Sequence, residues 1–119
     1  MHKAIETSYA GYRFRSRLEA RWAVFFDLVG VPFEYEPEGF VVNGTPYLPD
    51  FYLSEQMAFV EIKPKGQDVK QPLRLLEELV ADVGQIRKGY LVAGSPSLDL
   101  MDFMVHSAHK ELLGYSDNE

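Results

Sequence analysis

Leu48-Pro49-Asp50-Phe51-Tyr52-Leu53, Ser54-Glu55-Gln56 and Met57-Ala58-Phe59-Val60-Glu61-Ile62-Lys63 follow one another, and this stretch decides the fold. Two runs rich in aromatic and apolar residues flank three polar ones, the pattern of antiparallel strands joined by a short turn. Pro64 and Gly66 end the second run. With the turn centred between Glu55 and Gln56, Asp50 faces Glu61, Phe51 faces Val60 and Tyr52 faces Phe59. Directly opposed residues hold their Cβ atoms about 4.5–5.5 Å apart, and like charges placed so are destabilising unless something compensates them. A divalent cation is the natural compensator. Side chains alternate along a strand, so Lys63 shares a face with Glu61, whereas Val60 and Ile62 turn the other way into a core.

The flanking sequence supplies the rest of the architecture. Residues 33–35 are a short aromatic run, and residues 40–42 and 46–48 flank Asn43-Gly44, the strongest short hairpin signal. A meander of strands is expected from there through Ile62. Upstream, Ser16 followed by Glu19 is a capping-box signature, and Leu18, Trp22, Phe25 and Val29 repeat at helical spacing until Gly30 and Pro32 stop the pattern. Downstream, Pro72 suits a first helical turn, and Leu73, Leu76, Leu79, Val80 and Val83 trace an apolar stripe ending at Gly84. Residues 89–93 form a continuous apolar run, expected as a strand buried on both faces. Leu98, Met101, Met104, Val105, Ala108 and Leu112 predict an extra C-terminal helix over 97–113, with a frayed tail at 116–119. The expected class is α/β (α+β): helix, strands, helix, strand, helix around a mixed sheet.

Composition bounds this picture. At 119 residues and 46% hydrophobic, the chain has the size of one globular domain, expected over 1–119. Without cysteine there is no disulfide framework and no thiolate zinc site, which fits a reducing compartment. The N-terminus carries no apolar stretch that reads as a signal peptide, and no window approaches the roughly 18 apolar residues of a membrane span. A cytoplasmic location without membrane contact is expected, in a host cell if the chain is phage-encoded. The net charge of −6 runs against a polyanionic partner. Its distribution softens that objection: every Lys and Arg but one lies in 1–30 or 62–90, and 31–61 holds none.

Asp50, Glu61 and Lys63 converge on one end of an otherwise apolar strand pair, and polar convergence at the edge of a core suggests a site. Mg²⁺ takes hard oxygen ligands, commonly one or two carboxylates with several waters retained. A cation held there polarises a phosphoryl oxygen and acidifies water, while an adjacent ammonium orients that water or stabilises developing charge. The competing explanation is ordinary: Pro-Asp is a common turn dipeptide, and Glu-x-Lys on one strand face is also a surface ion pair worth about 0–1 kcal/mol. Glu19 is equally explained as a helix cap, although it borders the buried row of Trp22, Ala23 and Phe26 and so can overlook the sheet.

Pro49-Asp50 followed by Glu61-Ile62-Lys63, on consecutive strands after a helix bearing Glu19, resembles the core of the PD-(D/E)XK nuclease superfamily. The string from Gly11-Tyr12-Arg13-Phe14-Arg15-Ser16 through Glu19 and Trp22, with Tyr35-Glu36-Pro37-Glu38 and Tyr47-Leu48-Pro49-Asp50-Phe51, is similar to small phage-borne or mobile-element members. The resemblance implies a restriction-endonuclease-like αβββαβ core over about residues 14–93, and Mg²⁺ or Mn²⁺ on Asp50 and Glu61 with the Ile62 carbonyl as a third ligand. It implies Lys63 as the catalytic lysine and Glu19 as the first-helix acid that supports a metal directly or through water. The activity implied is hydrolysis of DNA phosphodiester bonds, of endonuclease or junction-resolving type. The alternative is a catalytically silent module that binds nucleic acid or protein on the same scaffold; a structural phage component is a third.

Arg13, Arg15, Arg17 and Arg21, interleaved with Tyr12 and Phe14, form the expected phosphate-contacting patch together with Lys65, against the simpler view of a solvated helix start. Lys70, Arg74, Arg87 and Lys88 are secondary. Glu34, Glu36 and Glu38 alternate as one exposed strand face more readily than as a second metal site. His106 and His109 lack a third strong ligand nearby, and Gln67 and Gln85 read as surface residues. A domain this small does not enclose a duplex, so a homodimer or a larger complex is expected.

Overall fold

The computed structural model describes residues 5–96 and the strand Met104–Ser107. In chain order the described elements are β1 (Thr7–Tyr9), β2 (Tyr12–Phe14), α1 (Arg17–Leu28), β3 (Glu34–Tyr35), β4 (Phe40–Val42), β5 (Thr45–Tyr47), β6 (Phe51–Leu53), β7 (Ala58–Lys63), α2 (Lys70–Asp82), β8 (Lys88–Ala93) and β9 (Met104–Ser107). β3-β6-β7-β8-β9 form a five-stranded mixed sheet in that spatial order, with β7 and β8 parallel and the remaining neighbours antiparallel. The parallel pair requires a crossover, which α2 supplies.

The register across the β6–β7 turn is the one the turn residues specify, with Phe51 opposite Val60, Tyr52 opposite Phe59 and Leu53 opposite Ala58. One sheet face carries Phe51, Leu53, Val60, Ile62 and Val92 against Trp22, Ala23 and Phe26 of α1. The other carries Phe59 and Leu91 against Leu76, Leu79 and Val80 of α2 and against Val42 and Tyr47 of the β4–β5 hairpin. β7 is therefore buried on both sides, from Ala58 through Ile62. Complete burial of Phe51 and Leu91 contributes about 1.5–3 kcal/mol each.

Local chemistry sets the helix boundaries. Ser16 caps α1 by accepting the Glu19 N–H at 3.2 Å. At the other end Gly30, at φ +75°, and Val31 donate to the Asp27 and Phe26 carbonyls at 3.2 and 2.8 Å, a Schellman closure. Helix α2 starts at Lys70, two residues before Pro72, which therefore sits in the first turn where a missing N–H costs little. Gly89 lets α2 approach β8 directly, since a Cβ there would lie 2.8 Å from Leu76 Cγ and 2.9 Å from Val80 Cγ2.

Three features depart from expectation. Thr7–Tyr9 and Tyr12–Phe14 pair as a hairpin across Ala10-Gly11, both at positive φ, so Arg13 belongs to a strand rather than to a helix start. The β4–β5 hairpin pairs with itself and stands apart from the main sheet instead of continuing a meander. The predicted C-terminal helix is wrong over Met104–Ser107, which run antiparallel to β8. The open edge of β8 offers unpaired N–H and C=O groups, and this short strand pairs with them. The remainder of 97–113 lies outside the described residues. No helix among the described residues is long and apolar enough to cross a membrane.

Candidate active site

Odd-numbered residues of β7 direct their peptide groups toward β8: Arg87 N–H donates to the Met57 carbonyl at 2.9 Å and Gly94 N–H to the Lys63 carbonyl at 2.8 Å. Ile62 therefore turns its N–H and C=O toward β6. The residue opposite Ile62 in the β6–β7 register is Pro49, which has no N–H to return. The ladder stops there, and the Ile62 N–H is taken by Asp50 Oδ2 at 2.7 Å. The Ile62 carbonyl is left without the strand donor that a non-proline residue would provide. The Pro-Asp dipeptide thus does two things: it ends the strand pairing, and it aims a carboxylate at the freed peptide.

Asp50 and Glu61 are the two charged residues in the described core, 7% and 5% exposed. Glu61 Oε1 accepts from the Tyr47 hydroxyl at 3.2 Å, and Oε2 pairs with Lys63 Nζ at 3.3 Å. Lys63 is half-buried, its ammonium at the mouth of the site and its stem along the strand. Burial pushes the Asp50 carboxyl well up, and the charges of Glu61 and Glu19 push it further, against the Ile62 N–H and Lys63. Burial also raises Glu61, with Lys63 and the Tyr47 hydroxyl opposing. Lys63 lies on the Glu61 side of the pair, so Asp50 is the carboxyl more ready to keep a proton when nothing else neutralises it. Tyr47 is itself raised, mainly by burial and then by the two acids, so it stays a neutral donor.

This donor set suits a hard divalent cation. Two buried carboxylates lie beside the end of the β6–β7 ladder, and Mg²⁺ commonly takes one or two carboxylates and keeps several waters. Among the described residues no three His, Cys, Asp or Glu side chains are grouped to hold a metal by themselves. A cation placed here would have Asp50, Glu61 and the Ile62 carbonyl as its candidate protein ligands, with water filling the rest of its shell.

Glu19 engages two partners, through different atoms. Its backbone N–H completes half of a capping box, while its carboxylate takes the Tyr35 hydroxyl at 2.5 Å instead of turning back to Ser16. Tyr35 in turn accepts the Arg15 N–H at 3.1 Å. Arg15 Nε pairs with Glu36 Oε2 at 2.9 Å, and the Glu36 N–H donates to the Asp50 carbonyl at 2.8 Å. Burial pushes the Glu36 carboxyl up against the pull of Arg15. Arg15, Tyr35, Glu19 and Glu36 thus form one polar cluster beside the acid pair.

The predicted basic patch divides. Arg13 pairs with Glu6 out on the β1–β2 hairpin, both well exposed. Arg15 is held by Glu36. Arg17 and Arg21 project from α1, Arg21 donating to Ser95 Oγ at 3.3 Å. Lys65 lays its stem against Gly94, within 3.0 Å of where a Cβ would stand. Lys70, Arg74, Arg87, Glu34, Glu38, Gln67 and Gln85 are exposed and Lys88 is half-buried. His106 lies on β9 and His109 outside the described residues. Sequence reasoning missed Tyr47, Tyr35 and Glu36 as parts of this site. Tyr47 and Tyr35 were legible as alternating strand residues, but nothing local says which acid a hydroxyl will meet. No protein-family model matches the chain, and no curated protein matches it.

Proposed function

We propose that the chain is a divalent-metal-dependent nuclease that hydrolyses DNA phosphodiester bonds, on a restriction-endonuclease-like core. The observation that carries this reading is the burial of Asp50 and Glu61 side by side with Lys63 Nζ 3.3 Å from Glu61. A structural ion pair needs one acid; a second buried acid, held by the Ile62 N–H, is an expense that stability alone does not repay. The run α1-β3-β6-β7-α2-β8, which β9 extends at the sheet edge, supports the reading by following the αβββαβ order that the motif implies.

Asp50, Glu61 and the Ile62 carbonyl would hold Mg²⁺ or Mn²⁺, which when bound would polarise the scissile phosphate and acidify water. Lys63 keeps its ammonium beside Glu61, where it orients the attacking water and offsets charge developing on the phosphate oxygens. Tyr47 fixes the Glu61 rotamer. Glu19, held by Tyr35, adds negative charge near Asp50 and so favours a bound cation. Arg17, Arg21 and Lys65 supply phosphate contacts at the rim, with Arg15 available once it exchanges Glu36 for a phosphate. A single domain of this size contacts one side of a duplex, so the active species is a homodimer or part of a larger complex.

Purified protein incubated with plasmid, linear and branched DNA under a Mg²⁺ or Mn²⁺ titration is expected to nick or cut only with metal. Asp50→Ala and Lys63→Ala are expected to abolish cleavage with the fold retained, and parental rates in both variants would refute the assignment. A second reading, a catalytically silent module binding nucleic acid or protein, is favoured by the net charge of −6 and by the pairing of Arg13 and Arg15 with acids. Metal-independent binding without cutting distinguishes it.

A further inference from the structure

α1 buries Ala20, Trp22, Ala23 and Phe26, yet the row that faces away from the sheet is not the polar surface an amphipathic helix ordinarily presents. Arg17, Arg21, Val24 and Leu28 follow one another there at helical spacing, with Val24 36% and Leu28 77% exposed. Together with Phe25, Tyr9 of β1 and Ser95, they line a cleft of about 570 Å³ whose surface is overwhelmingly apolar apart from the two guanidinium groups. Tyr9 is held in place by its hydroxyl, which donates to Asp27 Oδ2 at 2.6 Å. An apolar cavity with aromatic side chains and two guanidinium groups in its lining matches the two halves of a nucleotide, a flat base and an anionic phosphate.

The cleft shares a wall with the candidate active site. Ser95 follows Gly94, whose N–H donates to the Lys63 carbonyl at 2.8 Å and whose carbonyl accepts the Trp22 Nε1–H at 2.8 Å. Arg21 reaches Ser95 Oγ from the other side. Gly94 and Ser95 thus connect the end of β7 to the cleft through one stretch of backbone.

We propose that this cleft receives an unpaired nucleotide flanking the bond that is cut, its base against Phe25, Tyr9 and Val24 and its phosphate on Arg17 and Arg21. The proposal rests on the nuclease reading and narrows its substrate class. A base stacked within a duplex does not reach the cleft, so flapped, branched or single-stranded DNA is preferred over continuous duplex.

The test uses the full chain, a duplex with a short single-stranded flap, and the same duplex fully paired, each with 2-aminopurine beside the junction position. The double variant Val24→Gln, Leu28→Gln alters two exposed positions outside the acid site without adding charge beside Arg17 and Arg21, and circular dichroism checks its fold. With Mg²⁺, the parent is expected to cut the flap about tenfold faster than the paired duplex, a factor within what stacking of one base contributes. The double variant loses that preference and keeps its paired-duplex rate within twofold. Equal preference in parent and variant overturns the cleft assignment while leaving the nuclease reading intact. If the parent cuts neither substrate, the nuclease reading fails, and 2-aminopurine emission on binding decides the cleft alone: a change seen with the parent and lost in the variant supports it. An emission change that is absent, or identical in both proteins, overturns it.

Discussion

Asp50→Asn changes one atom and isolates the electrostatics of the acid pair. The amide keeps an oxygen for the Ile62 N–H, so the 2.7 Å hydrogen bond survives while the negative charge goes. In the β6–β7 register Asp50 and Glu61 stand opposite one another, and two unit charges about 5 Å apart at an effective dielectric near 20 repel by about 3 kcal/mol. Lys63 already offsets part of the Glu61 charge, so the expected gain is about 1–2 kcal/mol in metal-free protein at pH 8. That corresponds to a Tm increase of roughly 4–8 °C for a domain of this size. The pH dependence has a definite sign. Burial raises both carboxyls above their unfolded values, so their contribution favours the fold below the ordinary carboxylate range and is lost as pH rises through the raised values. Parent and Asp50→Asn should therefore converge near pH 4 and separate toward pH 8. Saturating Mg²⁺ reverses the order, since about 2.7 kcal/mol accrues to the parent at a hundredfold excess over Kd and little to the variant. Thermal melts in EDTA and in Mg²⁺, across pH, measure all of this. An Asn variant that is less stable than the parent in EDTA at pH 8, and equally stabilised by Mg²⁺, would refute the cation-site assignment.

Tyr35→Phe removes the hydroxyl that holds Glu19 and receives the Arg15 N–H; stability should fall by about 1 kcal/mol and kcat several-fold, whereas an unchanged kcat would confine Glu19 to its helix cap. Lys63→Ala should leave metal stabilisation of the melt in place while removing cleavage, and loss of the Mg²⁺-dependent Tm shift would instead make Lys63 a structural partner of Glu61. Gly89→Ala drives a methyl to within 2.8 Å of Leu76 Cγ and is expected to destabilise by about 1–3 kcal/mol; a neutral variant in a denaturant titration would mean α2 can lift from β8 at no cost.

The contrast between what was legible and what was not follows the range of the interactions involved. The pairing of β6 with β7 was readable because three polar residues fix the turn, and alternation then fixes which side chains share a face. The start of α1 was readable because a cap acts within one turn. The β1–β2 hairpin carried only a weak signal in Ala10-Gly11, and its strands are three residues each. Met104–Ser107 show spacing alone to be insufficient: so short a segment suits helix or strand, and the open edge of β8 makes it a strand. The detachment of the β4–β5 hairpin depends on its packing against α2 rather than on anything in its own residues.

For the candidate site, the sequence by itself determined that Asp50, Glu61 and Lys63 share one face at one end of a strand pair, because period-two alternation and a tight turn are local constraints. Only the tertiary structure decided that this face is covered. The β4–β5 hairpin brings Tyr47 onto Glu61, α2 completes the second core, and the two acids become buried rather than solvated. Likewise the sequence placed Glu19 at the third position of a helix, where a cap suffices to explain it, and the fold brought Tyr35 and Arg15 to its carboxylate. Burial and long-range partners depend on how separate elements pack, and it is burial that turns two opposed carboxylates from surface charges into a pair whose charge must be offset.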